Sequence, residues 1–126
     1  MKKIILVALV AAVVVALLFL ITYKPNKDST NSSSGKTYIL ELREEGYSPN
    51  EIKIKKGEII TFKTTLGKPF WPASDIHPTH GIYPEFDPGD AIMSDKTWSY
   101  KFNKVGKWRF HDHLAPYFTG TVLVEE

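Results

Sequence analysis

Hydrophobic and polar positions divide the chain into three stretches of different character. Ile4 to Ile21 form an unbroken apolar run behind Met1-Lys2-Lys3. About 20 apolar residues cross the hydrocarbon core as a helix, so this run predicts a transmembrane segment. It ends in Ile21-Thr22-Tyr23-Lys24-Pro25, with no small-x-small site of a cleaved leader, and Tyr23 suits the membrane interface. Residues 1–23 are therefore expected to be an uncleaved signal anchor. Lys2 and Lys3 favour a cytoplasmic N-terminus, a bias that Lys24 and Lys27 weaken. The alternative is a leader cleaved at an unusual site. Either reading puts the remainder outside the cytoplasm, and the anchor reading makes this a single-pass protein of the cell membrane.

Residues 24–36, KPNKDSTNSSSGK, are polar and without periodicity, and predict a flexible linker. From Thr37 onward the pattern is β. Tyr38–Arg43 and Glu51–Lys55 alternate with a period of two around a turn at Glu45–Asn50. Gly57 marks a second turn before a strand at Glu58–Thr64. Later strands are expected at Thr97–Phe102, Lys107–His111 and Gly120–Val124, and no stretch after residue 36 keeps a helical period. Short strands separated by turn signals over about 90 residues predict a sandwich. Residues 66–95 are long, irregular and rich in proline and aromatics. A loop of that length is usually functional or disordered, and its aromatics argue for order.

Charge adds an exclusion. The formal net charge of +2 divides into +4 over residues 1–36 and −2 over residues 37–126. The domain has no basic patch with interleaved aromatics, so a nucleic-acid partner is not expected. Cysteine is absent, which removes disulfides, thiolate metal ligands and a lipid-modified cysteine.

Tyr47-Ser48-Pro49, Ile52–Glu58 and Thr61-Phe62, followed by Gly106–His113, Pro116 and Gly120-Thr121-Val122, resemble the opening and closing segments of cupredoxins. The resemblance covers most of residues 37–126. It implies an all-β, cupredoxin-like Greek-key β-sandwich, here preceded by the N-terminal transmembrane helix. Blue-copper members carry Cys, His and often Met in the last loop. At those places this chain has Asp112, Ala115 and Phe118. A blue-copper site needs the thiolate, so plastocyanin-like electron transfer is not expected.

The four histidines fall in two clusters, His77-Pro78-Thr79-His80 and His111-Asp112-His113. Residues i and i+2 of a strand share a face, so His111 and His113 can aim at one ion. Imidazole suits Cu(II), zinc and iron, and four convergent imidazoles make a site without thiolate. His77, His80, His111 and His113 are thus the expected metal ligands, with copper the expected ion and zinc or iron alternatives. Phe110–His113 is also similar to the His-x-His segments of multicopper oxidases, a likeness that extends only to His111 and His113.

Asp75, Glu85, Asp87 and Asp112 could complete coordination, but loop carboxylates are more often solvated, and strand alternation turns Asp112 away from its two histidine neighbours. Met93 reads as flexible packing. Phe70-Trp71-Pro72, Tyr83–Pro88 and Trp108 read as a lid over one end of the sandwich.

The leading expectation is a membrane-tethered, extracytoplasmic copper-binding protein with an all-histidine, non-blue site that holds or transfers the ion. A redox enzyme or accessory with a type 2-like copper site, and a metal-free structural or assembly sandwich, are the alternatives. The residues offer no clear general acid or base, so enzyme activity stays open, as does the identity of any protein partner.

Overall fold

The computed structural model describes residues 35–126. The expected signal anchor, and the linker up to residue 34, lie outside the described residues. Among the described residues no helix is long and apolar enough to cross a membrane.

Among the described residues, eight strands make two four-stranded sheets. β1 (Thr37–Arg43), β2 (Gly46–Ser48), β4 (Ile59–Thr64) and β6 (Trp98–Lys101) form one sheet in the order β2-β1-β4-β6. β3 (Glu51–Lys55), β5 (Pro72–Ser74), β7 (Gly106–Asp112) and β8 (Ala115–Glu125) form the other in the order β3-β8-β7-β5. The chain passes repeatedly from one sheet to the other. This makes β1 parallel to β4 and β3 parallel to β8, while β7 and β8 form an antiparallel hairpin.

The period-two alternation explains the core. Leu40, Leu42, Ile60 and Phe62 point inward from the first sheet, and Ile54, Phe110, Val122 and Val124 from the second. Phe62 meets Phe110 edge-on at 5.6 Å between ring centroids. Full burial of each such ring stabilises the fold by roughly 2–3 kcal/mol. From the long segment, Phe70, Tyr83 and Phe86 join the core as fully buried rings. Their burial fixes residues 66–95 against the sandwich, as the aromatic content suggested.

Strand β8 begins at Ala115, before the expected Gly120, and two further strands lie outside the expectation altogether. The turn expected at Glu45–Asn50 contains strand β2, which pairs back on β1 with Leu42 opposite Tyr47. A hairpin this tight needs Gly46 at φ 120, open to glycine and strained for other residues. Tyr47 is then buried between the sheets, where it meets Phe110 at 4.9 Å. The second of these strands is β5, three residues inside the long segment that pair with β7, placing Ala73 opposite His111. β5 is an edge strand, the position at which a sheet tolerates Pro72.

Candidate metal centre

β7 sorts its residues by parity. Phe110 faces the core, so Arg109 and His111 project from the outer face of the second sheet. An outward residue would ordinarily meet water. His111 is only 2 % exposed because residues 75–87 fold over this end of the sheet. His113 follows the strand, with its backbone N–H donating to the Trp71 carbonyl at 2.7 Å. The register of the hairpin shifts between His111 and Asp112, an irregularity that re-aims side chains at the strand end.

His77 and His80 come from the covering turn. The His80 N–H donates to the Ile76 carbonyl at 2.6 Å and closes a turn over both histidines. His80 sits at φ 53, a left-handed conformation that costs a non-glycine residue on the order of 1–3 kcal/mol. That conformation directs its ring inward, where His80 is 4 % exposed.

The four imidazoles converge. One nitrogen from each of His77, His80, His111 and His113 lies within 4.8 Å of the others. His77 Nδ1 is 3.3 Å from His111 Nε2, and His80 Nε2 is 2.9 Å from His113 Nδ1. Nitrogens bound to one ion at about 2.0 Å in tetrahedral geometry are themselves about 3.3 Å apart. Two of the spacings in the cluster are close to this value, and the others, all within 4.8 Å, would draw in around a single transition-metal ion.

The outward nitrogens explain the orientation. His80 Nδ1 donates to Asp87 Oδ2 at 2.5 Å, and His111 Nδ1 donates to Asp75 Oδ1 at 3.0 Å. With the proton held on Nδ1, each ring keeps its Nε2 lone pair for the centre of the cluster. This is the carboxylate–histidine arrangement common behind metal ligands. Asp87 Oδ1 also accepts from the Trp71 indole N–H and the Gly89 backbone N–H, both at 2.8 Å. Burial alone would raise the Asp87 carboxyl, but the hydrogen bonds from Gly89, Trp71 and His80 outweigh it and hold the group below the ordinary aspartate range. Asp75 Oδ2 meets Arg109 Nε at 3.3 Å. The Trp71 ring lies over His113 at 4.5 Å between centroids.

Asp112 turns away from the histidines, as alternation predicted. It is 1 % exposed, and its Oδ1 accepts from the N–H groups of Leu114 and Ala115, both at 3.0 Å. Its Oδ2 accepts from the Trp71 N–H at 2.7 Å and the Tyr47 hydroxyl at 3.3 Å. Burial first, and then the Asp112 charge, raise the Tyr47 hydroxyl well above the usual phenol range. Asp112, Ala115 and Phe118 line a separate cavity of about 470 Å³ that none of the four histidines borders. Asp112, Ala115 and Phe118 and the four imidazoles thus serve different spaces.

Sequence reasoning missed the roles of Asp75, Asp87 and Trp71. The two aspartates read as solvated, and their partners lie 36 and 7 positions away with no recurring spacing. Glu85 does lie on the surface, paired with Lys104 at 2.9 Å. Met93 is exposed and outside the cluster.

No protein-family model and no curated protein matches the sequence. Solved structures do match. A copper(I) form of an amicyanin variant superposes with a TM-score of 0.61 at 20% identity, over 71% of this chain and 82% of that one. The purple cupredoxin from Nitrosopumilus maritimus gives 0.61 at 17% identity, over 70% and 99% of the two chains. Amicyanin from Paracoccus versutus gives 0.58 at 21% identity, over 71% and 81%. The fold is cupredoxin-like, and it carries a histidine cluster and no cysteine.

Proposed function

We propose that this chain is a membrane-tethered, extracytoplasmic copper-binding protein that holds copper at His77, His80, His111 and His113 and passes it on. The observation that carries the reading is the convergence of four imidazole nitrogens within 4.8 Å, two of them on rings oriented by buried or half-buried hydrogen bonds to carboxylates. The cupredoxin-like frame supports copper, and so does the all-nitrogen donor set, for which Cu(II) outranks Zn(II) among divalent ions. Without a thiolate the bound ion is non-blue. His80 and His111 present Nε2, whereas His77 and His113 present Nδ1. Asp75 and Asp87 keep the first pair in the required tautomer, and Trp71 shields His113 from water.

The tether rests on the apolar run from Ile4 to Ile21 and on Lys2 and Lys3 before it. It would hold the ion close to the outer membrane–water interface, within reach of the residue 24–36 linker.

The test is copper titration of the full-length chain in detergent micelles, followed by EPR. One equivalent of tightly held Cu(II) is expected, with nitrogen hyperfine structure that is lost in His111→Ala and His113→Ala. Failure to hold copper stoichiometrically would overturn the metal role. Protease added to right-side-out membrane vesicles should remove the domain. Protection of the domain there, with cleavage after lysis, would overturn the placement.

A further inference from the structure

The four histidines are not held alike. His80 and His111 are both almost fully buried and both donate Nδ1–H to a carboxylate. His113 is half-buried, with its backbone tied to Trp71 and its ring under the indole. His77 is exposed, and among the described residues its ring makes one hydrogen-bonding contact, the 3.3 Å approach to His111 Nε2. Ile76 beside it is 60 % exposed, so the backbone here runs over the surface.

A cleft of about 290 Å³ opens at the same place. It is lined by Asp75, Ile76, Arg109, Pro116 and Thr119 together with His77 and His111. His80 and His113 do not border it. The cluster therefore has a closed side, anchored by Asp87 and Trp71, and an open side at His77.

Resting on the copper-binding reading above, we propose that His77 is the exchange ligand of the centre, displaced by an incoming donor that approaches through the Ile76–Arg109–Thr119 cleft. The incoming group is a nitrogen, oxygen or sulfur donor of a chelator or of an acceptor protein's side chain. Ligand exchange proceeds with least rearrangement where one ligand can swing aside while the others stay fixed. His77 meets that condition: its ring can leave without breaking a carboxylate contact or exposing buried apolar surface. Removal of His80 or His111 instead takes away a buried ring together with the carboxylate hydrogen bond that orients it. His77 and the cleft thus act mainly on the rate of release, where most affinity differences arise.

The experiment loads the full-length chain with Cu(II) and follows transfer to EDTA by stopped-flow. His77→Ala is expected to keep one equivalent of Cu(II) and to release it at least about tenfold faster than the native chain. His80→Ala and His111→Ala are expected to lose stoichiometric binding. Thr119→Phe, which narrows the cleft from a non-ligating position, should slow transfer severalfold while equilibrium affinity stays within about twofold. Loss of binding in His77→Ala equal to that in His80→Ala would overturn the proposal, and so would an unchanged transfer rate in Thr119→Phe. A native chain that binds no copper would overturn the functional reading itself, a result visible before any variant is made.

Discussion

Trp71 joins two of the four histidines to one another from outside the cluster: its ring covers His113 at 4.5 Å, and its indole N–H shares Asp87 with His80. Stacking and hydrogen bonding by one side chain thereby orient a ring from β7's end and a ring from the covering turn. Trp71→Phe keeps the apolar cover and removes the N–H. Metal affinity is expected to fall about ten- to a hundredfold, as with other groups that position ligands. Competition with a chromophoric chelator measures it. Cu(II) binding should also quench part of the tryptophan emission in the native chain, and that part should disappear in the variant. Unchanged affinity would leave Trp71 with a packing role only.

Metal binding is expected to stabilise the fold and to do so in a pH-dependent way. At free Cu(II) a hundredfold above Kd, linkage adds about 2.7 kcal/mol of stability. A protonated imidazole is no ligand, so this gain should shrink as pH falls below about 6.5. Thermal melts with and without copper at pH 5 and pH 7.5 test both statements. An equal gain at both pH values would argue against histidine ligation.

Asp87 gives a separate acid limb in the metal-free protein. Its folded-state pKa is depressed, so between that value and the unfolded value near about 3.9 the unfolded chain binds more protons. Stability therefore rises with pH across this window, is fully present above about pH 5, and is lost as pH falls through the folded value. Asp87→Asn should flatten this limb below about pH 5 in urea titrations. A stability difference between the two proteins that stays constant over that range would contradict the assignment.

Asp112 is expected to matter for the fold more than for the metal. Asp112→Ala removes the acceptor of the N–H groups of Trp71, Leu114 and Ala115 in a partly buried region. The cost should reach about 3 kcal/mol or more, and Asp112→Asn should recover only part of it, because an amide offers one acceptor oxygen instead of two. Urea unfolding measures the loss. At temperatures where both proteins are folded, the Asp112→Asn chain should still bind one equivalent of copper.

The sandwich was legible because its signal is local. Glu51–Lys55 and Ile59–Thr64 alternate cleanly, and in a strand that alternation assigns each side chain to a face whatever lies across from it. The same rule separated Asp112 from His111 and His113. Strand β2 was hidden because turn residues dominate Gly46–Asn50, while the deciding event is burial of Tyr47 against Phe110 from a distant strand. β5 was hidden for a similar reason: three residues carry too little periodicity to be read, and only the edge of β7 makes Pro72–Ser74 a strand.

The sequence by itself determined the strand pattern, the absence of any thiolate, and the confinement of all four histidines to two short segments. Those properties depend on residue type and on neighbours a few positions away. The tertiary structure decided which nitrogens face one another, which histidines are buried, and which carboxylates stand behind them. His80 meets His113 across 33 positions and His111 meets Asp75 across 36. Such pairings depend on how a left-handed residue in a surface turn and a register shift in a hairpin bring distant chain segments together, and one-dimensional spacing carries no record of that.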